Sequence, residues 1–342
     1  MIYAGIDVSS KSFVVHAINN RNKVVFDNSI MPTKRALQKL LDGFGKETKY
    51  IVFEAGNQMK WIADYFLTRK DVVLHIVHPN EIKWINQSKK KTDQIDAKKL
   101  AKLAKGSILP QKVHVVTGVA RRLRELAASR EQLQSKRVSL INTVRGYVKQ
   151  EGLRLPAKFF KSIEWKEKLR KSDLSETLKQ IIESFMIAID GLIEAELKIT
   201  TELLAIEDER IKLLETIPCI GKLSSRVIVG AIDEVDRFEN KKSIAHYTAL
   251  TPRIHQSGTE LHLGRIDFNG RREVRKILLQ CAHTIVRTKN PDSKPLRDFF
   301  ERISKKRGKK KAMVALARKL IVVAYGVLKN NECYDFRVLQ AA

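Results

Sequence analysis

The sequence predicts an α/β domain over 1–116, a long helical arm over 117–210 and a mostly α-helical domain over 211–342. Three observations predict it. Short apolar runs bounded by turn residues alternate with helix-period segments over the first hundred residues. Apolar residues then recur at a heptad spacing in two long stretches. Beyond 210, helical segments are punctuated by Pro and Gly. The 342-residue chain is 43% hydrophobic, enough to build cores and too apolar for a wholly disordered chain. No apolar run reaches the ~18 to 20 residues of a membrane span. The start, MIYAGIDVSSK, lacks a basic region followed by an apolar stretch, so a cytoplasmic protein is expected, in a bacterial-type cell and at the nucleoid when bound to DNA. Cys219, Cys281 and Cys333 are far apart and have no metal-type spacing, which fits a reducing compartment.

In the first domain, Ile2–Val8 is an apolar strand, Ser9-Ser10-Lys11 a turn and 13–18 a second strand. A third strand is expected over 23–28. Ala36, Leu37, Leu40 and Leu41 mark a helix over 33–44, and Tyr50 to Glu54 forms a short buried strand ended near Gly56. A helix over 61–67 and a strand over Val72–Val77 follow. Three meandering strands, then helix, strand, helix, strand, is the RNase H-like order by analogy.

In the arm, Leu126, Leu133, Leu140 and Tyr147 are seven apart, with Leu123 and Val144 beside them. Leu178, Ile182, Phe185, Ile189, Leu192, Glu196, Ile199 and Leu203 alternate spacings of four and three, an a/d seam that only Glu196 interrupts. Both seams are narrow with charged flanks, so a coiled-coil, dimerising arm is preferred over two core helices of one globule. In the third part, Ile217-Pro-Cys-Ile-Gly221-Lys222 between two apolar helical stretches suits a helix-hairpin-helix, whose Gly lets backbone N–H groups approach a phosphate.

Charge narrows the partner. The chain carries 65 Lys and Arg against 38 Asp and Glu, a formal +27. Basic runs occur at Lys89-Lys90-Lys91, at Arg121-Arg122 with Arg124, and at Lys305-Lys306-Arg307 with Lys309-Lys310-Lys311. None lies on a strongly amphipathic terminal helix, so nucleic acid is favoured over a membrane surface. Neutralising ~8 phosphates predicts a slope of log K against log salt near −7.

The chemistry-bearing candidates are carboxylates and one hydroxyl. Asp7 lies in the opening hairpin, Glu54 ends a buried strand, and Asp93 and Asp96 stand three apart on one helix face behind the N-cap residue Thr92. Like charges at ~4 Å repel by about 4 kcal/mol at an effective dielectric near 20, so four clustered carboxylates call for a cation. All-oxygen donors favour Mg²⁺, or Mn²⁺ as its substitute, over zinc. Lys98 and the lysines around it would hold phosphates nearby. Ser257-Gly258 is a second polar constellation, with His255 two residues away and Arg253, Gly270, Arg271, Arg272 and Arg275 around it. A serine hydroxyl is a weak nucleophile that needs a base or metal, so these residues alone leave both a catalytic and a structural Ser257 open.

These residues together resemble the DEDD transposases of the insertion-sequence one-ten family, the bridge-RNA-guided recombinases. The resemblance rests on Gly5-Ile-Asp7-Val-Ser, Phe53-Glu54-Ala-Gly56, Lys91-Thr-Asp93-Gln-Ile-Asp96-Ala, Ile217-Pro-Cys-Ile-Gly221, Leu250-Thr-Pro252-Arg253, Ser257-Gly258 and Gly270 through Arg275. It implies a RuvC-type domain in which Asp7, Glu54, Asp93 and Asp96 hold Mg²⁺, a coiled-coil arm, and a C-terminal domain whose Ser257 attacks DNA to form a 5′-phosphoserine link. It also implies double-stranded donor and target DNA, a structured noncoding guide RNA, and a homo-oligomer, a dimer or, in the synaptic complex, a tetramer. Lys89, Lys90, Lys91, Lys98, Arg121, Arg122, Gly221, Lys222, Arg253, Arg271, Arg272 and Arg275 are the candidate nucleic-acid contacts. The family usually has Gly where this chain has Cys219 and Ala249, which predicts backbone strain if φ is positive there.

Three rival readings remain. A RuvC-like resolvase would use the four carboxylates and activated water, leaving Ser257 a loop residue. An actin-like ATPase would share the opening hairpin but needs further Gly-rich phosphate motifs, which the sequence does not offer. A binding protein with dead carboxylates would be indifferent to chelators.

Overall fold

The computed structural model describes residues 1–82, 92–257, 260–267 and 270–335. Lys89, Lys90, Lys91 and Gly258 lie outside the described residues. The chain divides into two compact units, Met1–Val115 and Val116–Ala342. Among the described residues, no helix is long and apolar enough to cross a membrane.

The first unit is a mixed sheet of β1 (Ile2–Val8), β2 (Phe13–Asn19), β3 (Val24–Ile30), β4 (Lys49–Glu54) and β5 (Val72–Val77), with helices α1 (Lys34–Gly43), α2 (Met59–Leu67) and α3 (Asp93–Lys105). The strand order is β3-β2-β1-β4-β5. β1 pairs antiparallel with β2 and parallel with β4, as the predicted meander and crossover require. Period-two alternation assigns the faces. Ile2, Ala4 and Ile6 join Ile51 and Phe53 in a core with Leu37, Leu41, Ile62 and Phe66 of α1 and α2. The opposite parity, Tyr3, Tyr50 and Val52, packs with Leu100 and Ala104 of α3. Thr33 and Thr92 cap α1 and α3 by accepting the N–H groups of Ala36 and Ile95, which fixes where each helix starts.

On the α3 face, the Tyr50 hydroxyl bonds His75 Nδ1 at 3.1 Å, while His75 Nε2 lies 3.0 Å from the Pro110 carbonyl oxygen. A carbonyl only accepts, so Nε2 carries the proton and Nδ1 accepts from tyrosine. Burial pushes the His75 imidazole below its ordinary value, and Lys112 adds to the effect against the opposing Pro110 bond. A base depressed on folding binds its proton more readily when unfolded. Its contribution to stability is therefore present above the unfolded value of ~6.5 and is lost as pH falls below it. Denaturant titrations between pH 7.5 and 5 should show falling stability, with a shallower fall in His75→Gln; equal slopes would refute the assignment.

The second unit opens with α4 (Gly118–Gln150), the short α5 (Trp165–Arg170) and α6 (Glu176–Leu204). α4 and α6 run antiparallel, with Val144 and Val148 against Leu178, Ile182, Met186 and Ile189 at the far end. Glu196, the break in the predicted stripe, is buried because both arms of its carboxylate are taken. Arg130 Nη2 and Arg137 Nε of α4 each donate to it at 3.0 Å. The seam also splits: Leu178, Ile182, Ile189 and Leu203 are buried, whereas Phe185, Leu192 and Ile199 are half-buried, as are Leu126, Leu133, Leu140 and Tyr147 on α4.

The chain continues through α7 (Glu209–Glu215), α8 (Lys222–Ile232), α9 (Lys241–Tyr247), the hairpin β6 (Pro252–Ser257) and β7 (Glu260–Ile266), α10 (Arg272–Arg287), α11 (Lys294–Arg307) and α12 (Lys309–Asn330). One core joins Leu316, Leu320 and Ala324 of α12 to Leu278 and Ile285 of α10 and Ile228 of α8. Leu123 and Leu203 belong to that same core, so the base of the arm is built into the C-terminal part and forms no separate compact unit.

Cys219 and Ala249 have φ of 66° and 55°, in the left-handed region, so the strain expected if φ is positive applies at both. A Cβ there costs about 1 kcal/mol and a β-branched side chain more. Thermal midpoints should therefore rank Cys219→Gly at or above wild type and Cys219→Val below it, the last by about 2 kcal/mol. A Val variant as stable as wild type would show that the turn relaxes.

Candidate active site

Asp7 and Glu54 are brought together by strand register. Ile6 pairs with Phe53 across the parallel β1–β4 ladder, so the next residues on each strand, Asp7 and Glu54, are neighbours at the carboxyl ends. Both share the parity of Gly5 and Val52, and therefore project from the sheet face that α3 covers. The carboxyl ends of parallel strands are where open α/β sheets bind ligands.

Gly5 sets how near α3 comes. A methyl group at that position would lie 2.1 Å from the Ala97 carbonyl oxygen, 2.7 Å from Ala101 N and 2.8 Å from Leu100 Cβ. Only a residue without Cβ lets the helix backbone rest on β1. Asp7 lies two residues beyond Gly5 on the same face, and Asp96 immediately precedes Ala97. The close approach thus brings the first turn of α3, which carries Asp96, toward the carboxyl end of β1, which carries Asp7. Asp93 and Asp96 both lie in the first turn of α3, where the helix dipole favours negative charge. Asp93 is exposed and Asp96 is half-buried. Asp96 Oδ1 is buried without a hydrogen-bond donor, its cation neighbour being Lys99 Nζ at 3.8 Å.

The four carboxylates thus share one end of the sheet, but among the described residues no three His, Cys, Asp or Glu side chains converge into a metal cage. The donor chemistry suits a hard divalent cation, and the unsatisfied Asp96 oxygen is the group that a cation would complete. Lys98 is exposed on the same helix.

In the second unit, Ser257 is the last residue of β6 and pairs with Glu260, and His255 pairs with His262. Arg253 is exposed, 3.7 Å from Asp267. Gly270 anchors the following segment: a Cβ there would lie 2.5 Å from Ala249 N and 2.6 Å from the Tyr247 carbonyl oxygen, to which Arg271 N donates. Arg272 is exposed and Arg275 half-buried on α10. Gly221 and Lys222 are exposed at the start of α8, and Gly221 is its N-cap. Arg122 is exposed, whereas Arg121 donates to the Val116 carbonyl.

Two segments of the chain match known families. Residues 4–152 match a transposase family of DEDD type, and residues 211–297 match the family described as "Transposase IS116/IS110/IS902 family". The transposase for insertion sequence element IS1111A of Coxiella burnetii is 24% identical over 338 residues, covering 96% of this chain and 90% of that protein. This chain belongs to the IS110 family of DEDD transposases. The pilin gene-inverting protein of Moraxella bovis is 34% identical over 133 residues, 38% of this chain. That similarity spans 40% of the relative's length. The first family match contains Asp7, Glu54, Asp93 and Asp96, and the second contains Ser257, Gly270 and Arg271.

An arginine cluster in this IS110-family chain escaped sequence reading. Arg124, placed by sequence in a basic run, turns inward: its Nε and Nη2 donate to the Gly230 and Ala231 carbonyls at 2.9 Å. Arg237 Nε donates to Ile232 O, and the Tyr247 hydroxyl to Ala231 O. These groups satisfy the last carbonyls of α8, which a helix leaves unpaired. Arg271 Nε donates to the Tyr247 oxygen at 3.1 Å, and its Nη1 lies 3.6 Å from Glu273, so its guanidinium is already engaged within the protein. Burial alone would raise the Tyr247 phenol, but Arg271, Arg124 and Arg237 bring it below its ordinary value. The signal that could have found Arg124 is its neighbour Leu123, which is fully buried and turns that part of α4 toward the core.

Proposed function

We propose that this chain is a site-specific DNA recombinase that moves an insertion element by cutting and rejoining DNA through a 5′-phosphoserine intermediate. The observation that carries the reading is Asp7 beside Glu54 at the carboxyl ends of β1 and β4, on the face against which Gly5 admits the Asp93–Asp96 turn of α3. That it lies in a DEDD transposase match, with Ser257 in the second match, ties the geometry to DNA strand transfer. The sheet with its carboxylate end is read as a RuvC-like domain, the α7–α8 turn as a helix-hairpin-helix. DNA substrates are what the names of the relatives suggest, a transposase and a gene-inverting protein.

Asp7, Glu54, Asp93 and Asp96 would hold Mg²⁺, or Mn²⁺ in its place. Bound there, the cation supplies Lewis-acid polarisation of a phosphate and neutralises charge on the departing oxygen. The Ser257 hydroxyl attacks phosphorus in line: a serine Oγ–P bond forms, the P–O3′ bond breaks, and the serine proton is passed on as the 3′ oxygen leaves as a hydroxyl. The phosphoserine ester keeps the energy of the phosphodiester, so rejoining requires no ATP. The exposed Lys98, Arg122, Lys222, Arg253 and Arg272 suit phosphate contacts. A structured guide RNA, read by shape and backbone, would set the target. The half-buried stripe of Leu126, Leu133 and Leu140 with Phe185, Leu192 and Ile199 suits a second copy of the arm, and so a homodimer.

The deciding experiment incubates the protein, its copurifying RNA and labelled DNA with Mg²⁺ and isolates protein–DNA adducts under denaturing conditions. A serine–DNA adduct in wild type, absent in Ser257→Ala, is expected. Hydrolysed ends with no adduct would favour the water-using resolvase reading.

A further inference from the structure

The turn between α11 and α12 carries charge that the site above does not use. From Arg302 to Asn331 the chain has ten Lys and Arg residues and no Asp or Glu. Six of them, Lys305, Lys306, Arg307, Lys309, Lys310 and Lys311, fall within seven consecutive residues around Gly308. All six are exposed, and none forms a salt bridge with a described residue. Gly308, with φ of 80°, turns the chain so that one triplet closes the last turn of α11 and the other opens α12.

The second triplet stands where physics disfavours it. The first turn of a helix prefers carboxylates, because its N–H groups and the dipole are already positive. α12 is a 22-residue helix with three lysines there, no acid and no side-chain cap. Six cations and the uncapped N–H groups of that turn therefore concentrate positive potential at one tip. The tip is held rigidly, because α12 buries Ala312, Leu316, Ala317 and Leu320 immediately behind it. An anion with several closely spaced charges relieves this repulsion. Residues 305–311 contain no apolar side chain to enter a lipid surface, and the apolar face of α12 is spent on the protein's own core.

We propose that the α11–α12 tip is a sequence-independent docking surface for the phosphate backbone of duplex DNA. The inference rests on the reading of the chain as a DNA recombinase and adds a surface to it. Five of the six cations are lysines, which bind phosphates as point charges, and residues 305–311 hold no Asn or Gln to read base edges, so the contact positions the substrate without choosing sequence.

The test uses the full chain, a 30-bp duplex of arbitrary sequence and an RNA hairpin, with anisotropy measured over a salt series. Two variants remove the tip charge, Lys305→Gln/Lys306→Gln/Arg307→Gln and Lys309→Gln/Lys310→Gln/Lys311→Gln. Lys34→Gln/Arg35→Gln/Lys39→Gln on α1 removes the same charge elsewhere. For a triplet that meets three phosphates, the slope of log K against log salt should shrink by roughly 2.7, and affinity at 0.15 M salt should fall on the order of 100-fold, while the α1 control changes much less. Loss with the duplex supports the proposal, whereas loss confined to the hairpin overturns DNA as the occupant. If the tip variants match the control while wild type binds, this surface is refuted and the recombinase reading stands. If wild type shows no salt-dependent binding, both fall. Unchanged melting temperatures of the variants separate lost contact from lost fold.

Discussion

Gly5→Ala should undock α3 from the sheet and abolish activity without touching a single candidate catalytic group. The added methyl would stand 2.1 Å from the Ala97 carbonyl oxygen and 2.7 Å from Ala101 N, both helix backbone, so no side-chain rotation relieves the clash. Either α3 shifts outward as a body or β1 bends, and each breaks the packing of Leu100 and Ala104 on Val52 and Val77. Overpacking of this kind costs about 3 kcal/mol or more. The functional cost follows from position. Asp96 is next to Ala97, so a displaced helix carries Asp93 and Asp96 away from Asp7 and Glu54. The measurements are a denaturant melt and a DNA-cleavage assay on the same sample. A fully stable and active Gly5→Ala protein would show that α3 does not need to lie so close, and would remove the geometric basis for the carboxylate site.

Ser257→Ala should reduce strand exchange by on the order of 10⁴-fold or more, the scale on which a covalent nucleophile is missed, and leave DNA binding intact. Ser257 ends a two-stranded hairpin and pairs with Glu260 through the backbone ladder. Stability should therefore change by no more than ~0.5 kcal/mol. Asp7→Asn gives the complementary test. It removes a metal-holding charge while keeping shape, so both cleavage and adduct formation should fail although the melt is preserved. If Asp7→Asn stops cleavage and Ser257→Ala does not, the carboxylates act with water and the hydroxyl is a bystander.

Much of this protein could be read from residue order alone. Short apolar runs bounded by turn residues located the strands of the sheet, because mostly buried strands such as β1 and β4 have few other ways to be written. Thr92 announced the start of α3 by its capping chemistry, and that is where the helix begins. The resemblance led to an expectation of strain if φ is positive at Cys219, and φ there is 66°. The charge of +27 pointed to a polyanion from composition alone.

What the tertiary structure decided are relations between residues far apart in the chain. The parallel pairing of β1 with β4 made Asp7 and Glu54 neighbours, and a register is a choice between strands that neither strand encodes by itself. Glu196 read as a break in a stripe until α4 supplied Arg130 and Arg137 from 66 and 59 residues away. Arg124 read as a surface cation until α8 brought its terminal carbonyls against it. In each case the sequence names the chemical group, and only packing determines which partner satisfies it, because burial makes an unpaired polar group costly wherever along the chain its partner lies.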